Sequence, residues 1–304
     1  MTVIVEYFWY CEEFKSFTKI CDHENIMTPI TDYGSEFGIN SDKLITLHPK
    51  YLIHRDNNYI CLCYLDIDYK LYCEIKDKIK NSDIKMKLCQ ELYFVANLPD
   101  SQMPNIIPAC DEKYYQLNNN CRSEYTFANI IEILAQIFYD YDLPIEKIQH
   151  CKGPAQYAIT LSSNDPDNIC NILLIVRYLL LKTTKKLFPQ FDINYFPKLF
   201  MGNINGSSCH LYYTDNDLQQ NNQEHLKYIF DKLEEQHGNF MNVCGTGNLT
   251  RFEKNPEFTI TKNNKTGLVR YNENSKYIQD TRPGANINPL ILINKYLDIV
   301  KKID

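Results

Sequence analysis

The stretch 167–185 constrains this chain more than any other. Its run 169–181 is apolar except for Asn171, Arg177 and Tyr178. The run falls short of the ~20 residues that span a bilayer. A helix apolar on most sides must instead be enclosed by other elements of the same fold. A periodic stripe over 125–141 (Phe127, Ile130, Ile131, Leu134, Ile137, Phe138, Tyr141) predicts a second helix, with Ser123 as its N-cap and Pro144 after its end. Further helices are expected over 70–85, 225–237 (ending at Gly238) and 289–301. β-Branched and aromatic runs predict strands over 3–10, 59–65, 86–96, 157–161, 211–214 and 267–271. Along 59–65, Leu62 and Tyr64 share one face, and Cys61, Cys63 and Leu65 the other. Residues 32–35 read as a turn and 99–120 as a loop. Strands and helices alternate without a regular βαβ repeat, which makes this an α+β chain with mixed or antiparallel sheets.

Composition narrows the function classes. With 38 acidic against 32 basic residues the net charge is −6, so nonspecific neutralisation of nucleic-acid phosphates is not indicated, a local basic patch aside. The N-terminus has no basic region followed by an apolar one, and the expectation is a cytoplasmic protein with no membrane partner. The 12 cysteines include no C-x-x-C pair and read as reduced, mostly buried thiols.

Three ordered segments carry more specific information. The first runs from Phe196-Pro197-Lys198 through Gly202, Asn203, Asn205 and Gly206 to His210. The second is Gly247-Asn248-Leu249-Thr250-Arg251 with Glu257 beyond it. The third is Tyr277-Ile278-Gln279-Asp280-Thr281-Arg282-Pro283, continuing to Asn286, Asn288 and Pro289. Together they resemble glutamine synthetase of the eukaryotic (type II) kind, with its PKP…GxxNGxGxH, GNxxRLTGxHE and YxEDRRPxxNxDP motifs. Weaker similarity extends through Ser41-Asp42, Cys61-Leu62-Cys63, Gln90-Glu91 and Pro154-Ala155-Gln156-Tyr157. The resemblance implies a small β-grasp-like N-terminal domain over 1–75 and a larger catalytic-type domain of antiparallel sheet and helices over 76–304.

That family joins glutamate and ammonia through an acyl phosphate, with ATP held by two or three divalent metals. Hard cations need fixed oxygen ligands. Matched position by position, the metal ligands keep only Glu91 and His210. The other carboxylates fall on Cys89, Cys151, Ala158 and Gln279. Mg²⁺ or Mn²⁺ is therefore doubtful; Cys89, Cys151 and His210, with Glu91, have the softness for Zn²⁺, or else the two cysteines are small buried hydrophobes that fill the vacated space. The organic hooks survive better. Arg251 matches the arginine that holds the substrate carboxylate, and Asn205 and Gly206 match its backbone neighbours. Glu257 matches the flap carboxylate that takes the ammonium proton. Arg270, Lys265 and Arg282 stand at or beside phosphate-binding positions. The ammonium-site aspartate falls on Tyr33, with Asp32 beside it.

Two functions follow from these matches. One is a catalytically inactive relative reused for binding, regulation or structure, in which an ATP or amino-acid pocket persists and the partner is a second copy or another macromolecule. The other is an active glutamate–ammonia ligase in which acids such as Glu112, Glu124 or Asp280 reach the metals. Four or more carboxylates near Glu91 and His210 favour the enzyme; two or fewer favour the binding protein.

Overall fold

The computed structural model describes residues 2–11, 13–37, 39, 41, 43–55, 58–80, 82–96, 123–151, 155–163, 165–198, 206–252 and 256–300. The expected loop 99–120 lies outside them, as do the side chains of residues 123–128, among them the expected N-cap Ser123 and Phe127 of the apolar stripe.

Two sheets sandwich the apolar helix, now α3 (Pro166–Leu187). The first sheet is built from β1 (Thr2–Cys11), β2 (Glu13–Asp22), β3 (Ile30–Tyr33), β4 (Leu44–Arg55) and β5 (Asn58–Tyr64), in the order β2-β1-β5-β4-β3. Its inner pair β1/β5 is parallel, and the remaining pairs are antiparallel. The second sheet combines β6 (Lys85–Ala96), β7 (Ile145–His150), β8 (Gln156–Ser163), β9 (Phe191–Asn194), β10 (Cys209–Thr214), β11 (Ile260–Lys262), β12 (Val269–Asn272) and β13 (Tyr277–Asp280). It runs β11-β12-β13-β10-β6-β8-β7, with β9 also on β6. Around α3 stand α1 (Asp66–Ile79), α2 (Ser123–Asp140) and α7 (Pro289–Val300), and farther along the sheet α4 (Asn216–Gln219), α5 (Gln223–Glu235) and α6 (His237–Met241).

The two polar interruptions of α3 are the points where it is fastened. Asn171 accepts a hydrogen bond from Tyr64 on β5 at 2.5 Å. Arg177, 5% exposed, donates to Gln90 Oε1 from Nε (3.0 Å) and Nη2 (2.5 Å), and to the carbonyls of Ala285 and Ile287. An unpaired polar group in this position would cost its full desolvation penalty, so each apolar face is crossed only where a partner waits. On the other side Phe8 of β1 stacks on Tyr178 at 4.0 Å.

The face assignment of 59–65 holds. Leu62 and Tyr64 join the large core around α3, whereas Cys61 and Cys63 join a smaller core with Val5, Trp9 and Leu47. The first predicted helix begins four residues earlier than expected, at Asp66, and residue 75 lies inside it. Its buried residues Tyr72 and Ile75 belong to the large core. Helix α5 stops at Glu235, and Gly238 lies in α6 instead of capping α5. Of the expected turn 32–35, residues 32 and 33 end edge strand β3 and residues 34 and 35 open a 3₁₀ turn, Gly34–Phe37.

Candidate functional site

Alternation along the second sheet sorts its side chains onto two faces. On β6, Leu88, Leu92 and Phe94 enter the core, so Cys89 and Glu91 point the other way. On β10, Leu211 and Tyr213 enter the core and His210 and Tyr212 oppose them. The same parity puts Gln279 of β13, Arg270 of β12 and Ala158 of β8 on the face with Glu91 and His210. Register fixes their neighbours: Cys89 lies opposite His210, Glu91 opposite Ala158, and Arg270 opposite Gln279. The sheet thus gathers Cys89, Glu91, Ala158, His210, Arg270 and Gln279 onto one surface.

Their bonding is specific. Glu91 Oε2 accepts from Ser208 N–H at 2.7 Å and from Ser208 Oγ–H at 2.6 Å, and Glu91 N–H returns a bond to the Ser208 carbonyl at 2.9 Å. Gln279 Nε2 donates to Tyr212 Oη at 2.8 Å and to His210 Nδ1 at 3.0 Å. An amide nitrogen only donates, so Nδ1 accepts and the neutral ring carries its proton on Nε2. Burial lowers the His210 pKa, and Arg251 and Arg270 push it the same way against Glu91 and Asp280.

Arg251 ends a 3₁₀ turn, Asn248–Arg251, entered through Gly247 at φ +69°, where a β-carbon would lie 2.8 Å from Phe196. Its Nη2 donates to the carbonyls of Thr281 and Arg282, each at 2.9 Å, while its buried Nε has no partner among the described residues. Burial lowers its pKa to about 10, although Glu91 and neighbouring thiols and acids favour the charge. Gly206 lies against the Arg251 stem; a β-carbon there would meet Pro197 O at 2.4 Å and Arg251 Cγ at 2.6 Å. Arg270 donates from Nε to the Gly267 carbonyl at 2.8 Å.

Other matched residues are placed apart from this group. Arg282 is wholly buried on the core side: Nε lies 3.0 and 3.1 Å from the Asp280 carboxylate oxygens and Nη2 lies 2.6 Å from Oδ2. Its Nη1 reaches Leu233 O and His237 Nδ1, and its plane lies over Phe240 at 4.4 Å. Burial pulls its pKa down, but Asp280 outweighs that and the net shift is upward. No edge of this guanidinium is turned toward the Glu91 face. Lys265 is exposed in the turn between β11 and β12, and Glu257 is exposed on the segment before β11. Tyr33 and Asp32 are exposed on β3. Asn205 lies outside the described residues, as do Glu112 and the side chain of Glu124.

The donor set does not fit the divalent metals of a ligase. Near His210, among the described residues, this face carries one carboxylate, Glu91, with one oxygen already held by Ser208. Asp280 is committed to Arg282 on the opposite face, and Glu146 pairs with Lys87 at the β7 edge. Burial raises the pKa of Cys89 to about 11 and pushes Cys151 up as well, with Glu91 adding to both, so these thiols are protonated in the metal-free protein. Among the described residues no three His, Cys, Asp or Glu side chains converge to hold a metal ion.

The arrangement has a structural counterpart. The cryo-EM structure of glutamine synthetase from Plasmodium falciparum superposes with a TM-score of 0.72 at 13% identity, covering 98% of this chain and 71% of that one. The fold is glutamine-synthetase-like. No family model matches the sequence, and no curated protein matches it. The likeness is one of architecture, and it carries the expected α+β class with it. No described helix is long and apolar enough to cross a membrane.

The Ser208 clamp on Glu91 and the Arg177–Gln90 bond went unread in the sequence. Ser208 lies inside the glycine–histidine motif, one residue ahead of β10, and the pairing of that strand with β6 is the signal that brings it to Glu91. Arg177 announced itself as the one cation inside an apolar run, but its partner lies 87 residues away.

Proposed function

We propose that this glutamine-synthetase-like protein is a pseudoenzyme that binds a small anion, an amino-acid carboxylate or a nucleotide phosphate, without divalent metal. The observation that carries the reading is the Glu91 face itself: Cys89, Cys151, Ala158 and Gln279 stand where the resemblance places acids, and the remaining carboxylate is clamped by Ser208. Arg251 and Arg270 leave the surface cationic, and the Arg251 Nε, which has no partner among the described residues, is a buried donor for an anionic oxygen. Neither alanine nor a glutamine amide replaces the charge that a phosphate-clamping dication requires. The binding role would then be regulatory or structural, exerted in the cytoplasm through a second copy or another macromolecule.

Calorimetric titration with ATP and with glutamate, with and without Mg²⁺ or Mn²⁺, tests this. Metal-independent binding of either ligand, lost in Arg251→Gln, supports it. Metal-dependent ATP binding together with glutamine formation from glutamate and ammonia would establish the ligase instead.

A further inference from the structure

A second ligand surface lies on the other side of α3 from the Glu91 face. There the α3-facing side of β1 and β5, beyond the packed core, and the flanks of α2 and α3 border a cleft of about 440 Å³. That volume falls in the range of small-molecule sites, which favour seams between packed units. Ile60 and Leu179, both buried, line it, together with Ile4 and Leu187, which are 54% and 48% exposed. Ile20, 69% exposed, is the cross-strand partner of Ile4 and extends the apolar lip. Single exposed apolar residues are ordinary, but two lining one cleft with a third paired across the strand are not.

The charge at this mouth is predominantly positive. Arg55, Lys182 and Lys186 line the cleft against a single carboxylate, Glu6. Glu6 is already shared, accepting from Tyr178 Oη at 2.5 Å and pairing with Lys182. Arg55 pairs with Asp140 at 2.8 Å, outside the lining. Lys186 has no ion pair among the described residues. An apolar trough with surplus positive charge at its rim complements a molecule with an apolar chain and one negative head.

We propose that this cleft binds an amphiphilic monoanion of the medium-chain carboxylate class, its chain along Ile4, Ile60 and Leu179 and its head at Lys186 and Arg55. The site is independent of the Glu91 face and of the metal question there. The test is calorimetry on the full chain with monomeric decanoate, with decyltrimethylammonium of the same chain length, and with phosphatidylglycerol vesicles. The expected result is saturable binding of one decanoate per chain and none of the ammonium. Lys186→Glu should weaken binding about threefold to tenfold, as loss and reversal of an exposed charge-assisted contact implies. Ile4→Glu should weaken it as well, and both positions are exposed, so circular dichroism and melting should stay at wild type. Equal binding of the cationic amphiphile, unchanged affinity in both variants, absence of decanoate binding, or binding to vesicles alone would each overturn the proposal.

Discussion

Asp280 lies next to a matched metal-ligand position yet faces the core, and replacing it separates a structural carboxylate from a catalytic one. It accepts from the Arg282 backbone N–H at 3.0 Å and from Nε and Nη2 of the same residue, and both side chains are 0% exposed. Asp280→Asn keeps the volume but removes the charge, leaving a guanidinium in the core with one carbonyl, one imidazole and two aromatic faces. Breaking one partner of a buried pair costs about 3–5 kcal/mol. Against a typical total of about 5–15 kcal/mol, that is a large fraction. At roughly 2–4 °C per kcal/mol for a chain of this size class, the melting temperature should fall by about 10 °C. Urea unfolding followed by circular dichroism reads the free energy, and scanning calorimetry the midpoint. The double variant Asp280→Leu/Arg282→Met should recover most of the loss, because a buried pair exchanged for packed apolar groups is often neutral or better. A single-variant loss under about 1 kcal/mol would refute the reasoning. So would loss of ATP binding in a stably folded double variant, because that would make Arg282 a phosphate ligand.

Other outcomes follow from the same geometry. Gly206→Ala should displace the Arg251 stem and weaken glutamate or ATP binding more than it lowers the melting temperature, since its β-carbon would sit 2.6 Å from Arg251 Cγ; equal binding by variant and wild type would contradict this. His237 Nε2 donates to the Pro256 carbonyl at 2.9 Å, and Phe258 lies against the same ring, so His237→Ala should speed hydrogen exchange over 256–260 while leaving α5 protected. Burial raises the thiols of Cys89 and Cys209 to about 11 and about 12. The native state then keeps protons that the unfolded chain releases above its ordinary thiol range. Stability is therefore complete below about pH 9 and declines toward pH 11, by up to ~1.4 kcal/mol per pH unit for each thiol. Denaturant titrations of Cys89→Ala across that window should show a shallower decline.

Much of this architecture was legible where local pattern and tertiary demand agree. The helix over 167–185 was found within two residues at either end because its burial leaves an unbroken apolar signature. The alternation in 59–65 assigned both faces because each enters a separate core. The strands that escaped notice carry mixed polarity. Glu13–Asp22 is an edge strand with few buried side chains, and Leu44–Arg55 holds Pro49, Lys50 and a bulge between Pro49 and Tyr51. Both pair through backbone groups that no side-chain pattern reports. At the site, the motif resemblance brought Cys89, Glu91 and His210 together. It did not distinguish Arg270, which faces that surface, from Arg282, which turns into the core two residues beyond the end of an alternation that begins at Ile278. The difference lies in which face of β13 each neighbour occupies.

β1 and β5 give one side to each core: Val5 and Cys61 to the smaller, Phe8, Leu62 and Tyr64 to the larger. Severing the chain after Leu65 would therefore not release a self-sufficient module. The amino-terminal piece would carry a bare stripe of Phe8, Leu62 and Tyr64, and the remainder an unroofed α3 with Tyr178 and Asn171 exposed. Each fragment's apolar seam is the other's cover. The two pieces should reassociate when mixed, and the intact chain should lose both sheets in one cooperative step.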